Sequence, residues 1–182
     1  MKQLTVNGKS YKVIKLLGHG KGGYSYLVTN GVSEYVLKQI HHEPCDYYQF
    51  GNKLESELRD YERLCKVGIS MPVLYEVDVD NERILKEYIE GDTIFDYVMR
   101  DGVKQEYIKQ MQKMCEILYA ENINIDYFPT NFVVRDEKLY YIDYECNGYM
   151  AEWNFENWGV KYWSKTKEFY AYINARGEYA KE

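Results

Sequence analysis

Gly18-His19-Gly20-Lys21-Gly22-Gly23-Tyr24-Ser25-Tyr26-Leu27-Val28, residues 18–28, is the stretch on which the fold turns. Its first six residues fit G-x-G-x-x-G. In a dinucleotide-binding βαβ unit a helix follows the third glycine at once, so that the helix N-terminus meets the pyrophosphate. Here Tyr24 to Val28 are aromatic and aliphatic, the composition of a strand. Strand, glycines, strand makes a hairpin in which Gly18, Gly20 and Gly23 let backbone N–H groups approach phosphates. On this motif alone an ordinary glycine-rich hairpin reads equally well.

The flanking sequence continues the strand pattern. Asn7-Gly8 and Asn30-Gly31 are two-residue hairpin signals, and strands are predicted over 11–17, 24–29 and 34–40. Residues 53–66 predict a helix with Leu54, Leu58, Tyr61, Leu64 and Cys65 on one face, closed by Gly68 and Pro72. Two further strands, 73–79 and 83–89, flank an Asp80-Asn81 turn. After Gly91-Asp92 the pattern turns helical, with helices over 93–100, 103–121 and 158–173 and a short strand pair over 132–134 and 139–142. The expected fold class is α+β: a five-stranded antiparallel half with one helix, then a mainly helical half.

Four further residues or pairs carry chemistry. Lys38 shares a strand face with Val36 and Ile40, fifteen residues after Gly23, which sets it beside the glycine hairpin within reach of phosphates. An inward lysine is costly unless paired; a lysine snorkelling to the surface is the plainer alternative. On a wheel centred on Leu54, Glu57 falls at about 300°, inside the apolar stripe, whereas Glu55 and Glu62 fall outside it. Glu57 therefore needs a cation, and Lys38 is the natural one. Asp126 and Asn131 stand five apart on the proline-bearing loop Asn124-Ile125-Asp126-Tyr127-Phe128-Pro129-Thr130-Asn131. Asp126 can orient a hydroxyl while Asn131 offers an amide oxygen to Mg²⁺. Asp143 ends the strand Leu139-Tyr140-Tyr141-Ile142, twelve residues beyond Asn131, so that both can converge on one Mg²⁺.

Composition narrows the remaining classes. Net charge is −6 with no Lys/Arg run, which argues against direct binding of nucleic acid, although a protein partner can supply a basic face. Cys45, Cys65, Cys115 and Cys146 are widely spaced without a CxxC pair, as expected of reduced thiols in the cytoplasm. His41-His42 followed by Cys45 is a weak metal signal without a second ligand cluster. Met1 to Thr5 lacks the apolar run of a signal peptide, and no stretch nears the roughly 20 apolar residues of a membrane span. The 21 tyrosines are expected to be half-buried with a wet hydroxyl. Trp153, Phe155, Trp158, Trp163 and Phe169 read as core completion ahead of a docking face.

Taken in order, these segments resemble the protein-kinase-like superfamily over residues 11–150. Gly18, Gly20 and Gly23 look like its glycine loop, Lys38 like its strand lysine and Glu57 like the helix glutamate that pairs with it. Lys86-Glu87-Tyr88-Ile89-Glu90-Gly91 is similar to the family hinge, which implies adenine hydrogen-bonded by the backbone of Glu87 and Ile89. Asp126 and Asn131 match the catalytic loop, and Asp143 the metal-binding aspartate. The helix, Pro72 and the hinge are most similar to the small atypical kinases: the RIO group and the kinase/ATPase subunit of the KEOPS tRNA-modification complex. The resemblance implies one kinase-like domain over 1–182 (N-lobe 1–85, hinge 86–91, reduced C-lobe 92–182) with ATP and Mg²⁺ as cofactors.

The departures bear on activity. Asn124-Ile125 replaces the usual His-Arg, and Phe128 stands where serine/threonine kinases carry a phosphate-contacting lysine. Lys86 takes a gatekeeper position that is normally apolar. Ile142-Asp143-Tyr144-Glu145 is closer to aminoglycoside and choline kinases than to Asp-Phe-Gly. No Ala-Pro-Glu follows, and the 39 residues after Asp143 imply no usual peptide-docking platform. The expected function is a small Ser/Thr protein kinase that uses ATP and Mg²⁺ on a protein substrate. The alternatives are a small-molecule kinase and a nucleotide-binding pseudokinase or ATPase that acts through a partner protein.

Overall fold

The computed structural model describes residues 2–44 and 51–179; Cys45 of the weak His-Cys metal signal lies outside them. The chain divides into two compact units, Met1–Arg59 with Pro72–Tyr88, and Asp60–Met71 with Ile89–Glu182.

The first unit is built on one antiparallel sheet. Its strands are β1 (Gln3–Val6), β2 (Lys9–His19), β3 (Gly23–Thr29), β4 (Glu34–Ile40), β5 (Leu74–Asp78) and β6 (Arg83–Glu87), in the order β1-β2-β3-β4-β6-β5. Six strands form where the sequence suggested five. The extra strand, β1, is the near arm of the Asn7-Gly8 hairpin, whose φ values of 47° and 78° are those of a two-residue hairpin turn. The strand before the turn has only four residues, too few for their alternation to stand out, but Val6 is fully buried beside Tyr11, Val28, Leu37 and Leu85. The outer strands are tied to each other by side chains. The Asn7 N–H donates to Asp78 Oδ2 at 2.8 Å, Lys9 Nζ reaches Glu76 Oε1 at 2.5 Å, and Arg83 donates to the Thr5 carbonyl at 2.7 Å. These bonds curl the sheet and blunt both edges against pairing with another chain.

Helix α1 (Lys53–Val67) starts at Asn52, whose Oδ1 accepts the Glu55 N–H at 3.1 Å, and stops at Gly68, whose φ of 76° and bond to the Leu64 carbonyl make the usual glycine end. Leu54, Glu57 and Leu64 are buried and Glu55 and Glu62 exposed, as the wheel predicts; Cys65, counted with the apolar stripe, is exposed.

The second unit holds β7 (Asp92–Thr93), α2 (Ile94–Met99), α3 (Gln105–Ala120), β8 (Ile123–Ile125), β9 (Phe132–Arg135), β10 (Lys138–Tyr141), β11 (Cys146–Gly148) and α4 (Lys167–Tyr179). Thr93 and Asp96 cap α2 reciprocally. One face of α3, with Tyr107, Met111, Cys115 and Leu118, packs into a core shared by Leu64, Ile94, Phe132, Tyr141 and Trp163. Two small sheets, β10-β9-β7 and β11-β8, bracket the loop that carries Asp126. Gly91 is forced at its place, because a Cβ there would lie 2.0 Å from the Val134 carbonyl oxygen.

The final helix is shorter than expected. Residues Gly159–Tyr162 form a 3₁₀ turn, and α4 begins only after Thr166, whose hydroxyl accepts the Phe169 N–H at 3.1 Å as a helix cap. Phe155, Trp163 and Phe169 are core residues, whereas Trp153 is half exposed against Trp158. Several tyrosines are also more buried than expected: Tyr127, Tyr141 and Tyr144 are fully enclosed. Among the described residues no helix is long and apolar enough to cross a membrane.

Candidate functional site

In the first unit the candidate residues gather under the glycine turn. Gly18 ends up in β2 opposite Ser25, Gly23 opens β3 opposite Ile40, and the Gly20 N–H closes the turn onto the Gly23 carbonyl at 3.0 Å. The three glycines differ in what they allow. A Cβ at Gly23 would meet the Gln39 carbonyl oxygen at 2.3 Å, so this glycine is demanded by the close approach of β4. At Gly18 and Gly20 a Cβ would meet nothing within 4 Å, so their lack of a side chain leaves open space above the turn.

Lys38 pairs with Ser25 across β3 and β4, which brings its ammonium within 3.5 Å of where a Cβ on Gly22 would stand. Its Nζ lies 2.7 Å from Glu57 Oε2, with the two side chains 13% and 9% exposed. The predicted ion pair therefore forms, and it forms out of water. Glu57 Oε1 is buried with no hydrogen-bond partner among the described residues, so Lys38 carries most of the compensation for that carboxylate. Lys53, which the sequence reading passed over, is at least as buried. Its Nζ donates to the carbonyls of Lys21 at 3.0 Å and His41 at 2.6 Å, fastening the glycine turn to the segment after β4. No apolar stripe includes it; only its position one residue into a helix facing the turn sets it apart.

In the second unit the loop after β8 is folded by its own polar groups. Asp126 Oδ1 accepts the Phe128 N–H at 3.0 Å, and the Asn131 N–H donates to the Phe128 carbonyl at 2.9 Å. Asn131 Nδ2 donates to the Asp126 carbonyl at 3.3 Å, which turns its Oδ1, the atom a hard cation takes, away from that carbonyl. The Ile142 N–H binds the Asn131 carbonyl at 2.9 Å, bringing Asp143 beside this loop, and Asp143 Oδ1 is steadied by the Tyr144 N–H at 2.8 Å. Tyr144 is fully buried against Tyr61 and anchors the segment.

Tyr141 is the second residue missed. Its hydroxyl donates to the Glu145 carbonyl at 2.8 Å and faces the Asp126 N–H at 3.4 Å, so one buried ring spans both carboxylate-bearing segments. Burial pushes this phenol far above its usual range, and the charges of Asp143, Asp126 and Glu145 push it further. The inward alternation of Leu139 and Tyr141 was the available signal. Phe128 packs on Tyr172 and Tyr162 at ring distances of 4.5 and 5.1 Å, so no ammonium stands at that position.

Glu87 ends β6 opposite Tyr35, its N–H bonded to the Val73 carbonyl at 2.8 Å, and Ile89 is buried. Lys86, at the expected gatekeeper position, is also buried.

No family model matches the chain. Among curated proteins it is similar to the EKC/KEOPS complex subunit bud32 of Dictyostelium discoideum, 27% identical over 123 residues, which are 62% of this chain and 49% of that protein. It is likewise similar to the KEOPS complex subunit Bud32 of Pyrococcus abyssi, 27% identical over 127 residues, 66% of this chain and 56% of that protein. The match thus spans about half the length of these relatives. They relate the chain to the atypical, Bud32-like proteins of the protein-kinase-like superfamily, in keeping with its mixed α+β fold.

Proposed function

We propose that this protein binds Mg–ATP and transfers the γ-phosphoryl group to a serine or threonine hydroxyl of a protein. The observation that carries the reading is the buried Lys38–Glu57 pair beneath a glycine turn with open space at Gly18 and Gly20. A lysine held rigid and dry at that place is suited to phosphate oxygens. Adenine would bond the carbonyl of Glu87 and the N–H of Ile89. Asn131 and Asp143 would hold the cation; the Asn131 amide, whose nitrogen is taken by the Asp126 carbonyl, leaves its oxygen for an oxygen-seeking ion. Mg²⁺, when bound, supplies neutralisation of phosphate charge.

The remaining work falls to the chain's own groups. Lys38 opposes charge on the phosphates. Asp126, fixed by the Phe128 N–H, orients the acceptor hydroxyl. The hydroxyl oxygen bonds to the γ-phosphorus as the bond to the β–γ bridging oxygen breaks; ADP leaves, and the hydroxyl proton passes to Asp126. With Phe128 in place of a lysine, turnover at or below about 1 s⁻¹ is expected, the low end for kinases.

A second reading is favoured by Phe128 and by the names of the relatives, which are subunits of a complex. In it the protein hydrolyses ATP and acts through a partner protein. The free thiols Cys65, Cys115 and Cys146 support a reducing, cytoplasmic setting for either. The deciding experiment supplies γ-labelled ATP and Mg²⁺ with and without an acceptor protein, to wild type, Lys38→Ala and Asp143→Ala. Label on protein that both variants abolish supports transfer. Phosphate release without protein label supports the ATPase. Neither in the wild type overturns both.

A further inference from the structure

One of the chain's three histidines, His19, sits inside the glycine stretch, and the other two, His41 and His42, follow β4. Because β4 runs back along β3 to the turn, the chain brings His41 and Glu43 against His19. One ligand-type atom from each lies within 4.8 Å of the other two. We infer that His19, His41 and Glu43 form a site for a transition-metal ion of the zinc type, which would clamp the glycine turn to the segment after β4.

The spacing fits a metal as well as it fits an ion pair. His19 Nε2 stands 3.4 Å from Glu43 Oε2. That exceeds the usual N–H···O range of about 2.7–3.2 Å. It equals the separation of two ligands each about 2.0–2.1 Å from a tetrahedral zinc, which is roughly 3.3–3.4 Å. The third ligand is already oriented. The Glu43 N–H donates to His41 Nδ1 at 3.2 Å, so Nε2 carries the ring proton and donates it to the Gly20 carbonyl at 2.9 Å. An imidazole bonded to a carbonyl through one nitrogen presents the other to a metal, and here that is Nδ1, whose long bond to the backbone the ion would replace. The carboxylate is held as well: Glu43 Oε1 accepts the Tyr24 hydroxyl at 2.6 Å, and His19 lies flat on the Tyr24 ring at 4.2 Å.

The adjacent His42 takes no part, since its Nε2 meets Glu82 at 2.6 Å. Two imidazoles and one carboxylate suit zinc, cobalt or nickel and are poor ligands for Mg²⁺, so the site is chemically separate from Asn131 and Asp143. Three protein ligands leave one position open. The site stands without the nucleotide reading. Its consequence, that the clamped turn slows phosphate entry, rests on that reading.

The test is calorimetric titration of tag-free full-length protein with zinc chloride in the absence of nucleotide. One ion per chain is expected. His19→Ala and Glu43→Gln should each weaken binding at least tenfold, whereas His42→Ala and Asp143→Asn should leave it unchanged. Glu43→Gln alters an exposed side chain without changing its shape, so it keeps the test readable if an alanine variant fails to fold. No zinc binding by wild type, or binding that survives both substitutions, overturns the site. Mg–ATP binding is then followed with and without zinc. Slower association in wild type but not in His19→Ala supports the clamp. Absence of Mg–ATP binding altogether contradicts the nucleotide reading and leaves the zinc result standing.

Discussion

Replacing Lys38 by methionine keeps most of the stem and deletes the ammonium. Glu57, 9% exposed, then loses the cation 2.7 Å from its Oε2, while its Oε1 has no hydrogen-bond partner among the described residues to share the charge. Stranding one partner of a buried pair costs about 3–5 kcal/mol. In a chain of this size each kcal/mol moves the melting midpoint by about 2–4 °C, so a fall of roughly 6–20 °C is expected. Exchanging Glu57 for methionine in the same chain removes the stranded carboxylate, and burying two apolar groups in place of an ion pair is often neutral. The double variant should therefore regain at least half of the loss. Melting curves of wild type, both single variants and the double variant, followed by circular dichroism without nucleotide, measure this directly. A Lys38→Met midpoint within about 2 °C of wild type, or a double variant as unstable as the two single losses combined, would refute a dry, mutually dependent pair.

The glycines should separate by role: Gly23→Ala forces a methyl to 2.3 Å from the Gln39 carbonyl and lowers the melting midpoint, whereas Gly18→Ala meets nothing within 4 Å and leaves it unchanged while weakening nucleotide binding in a fluorescent-ATP titration. Asp78 is held below the usual carboxylate range, first by the Asn7 N–H and then by Asn81. A depressed carboxyl stabilises the fold above its unfolded value near 3.8 and loses that contribution as pH falls through its lower folded value. Melting points taken from about pH 4 down to 2 should therefore drop more steeply in wild type than in Asp78→Asn. Burial pushes the Cys115 thiol up to about 12 and Cys146 up to about 11, while Cys65 is exposed. In a Cys45→Ser background at pH 8, a thiol reagent should label one cysteine, Cys65, until the protein is unfolded.

The parts legible in the sequence were those with a period or a required neighbour. Lys38 and Glu57 could be paired because alternation on a strand and 100° steps on a helix each fix a face. The order from the glycine turn to Asp143 pointed to the kinase-like resemblance because chance would have to supply every segment in sequence. What escaped lacked a period. β1 is four residues long and β8 and β11 are three each, too short for an alternation to stand out. The last helix starts and ends later than the expected 158–173, because tryptophan and tyrosine recur through residues 158–163 at helical spacing while the helix begins only after the Thr166 cap. Lys53 and Tyr141 act through backbone carbonyls, and a carbonyl leaves no mark in sequence. The meeting of His19 with His41 and Glu43 depends on the register Gly23↔Ile40, which only the folded hairpin sets.

Equilibrium binding of Mg–ATP, read as a thermal shift, tests the central claim most directly. At a hundredfold excess over the dissociation constant the ligand adds about 2.7 kcal/mol. That corresponds to a rise of roughly 5–11 °C in wild type. The account requires this rise, its dependence on Mg²⁺, and its loss in Asp143→Ala and in the Lys38→Met, Glu57→Met double variant. A wild-type midpoint that Mg–ATP leaves unmoved up to millimolar concentration, or a rise that survives both changes, would contradict it.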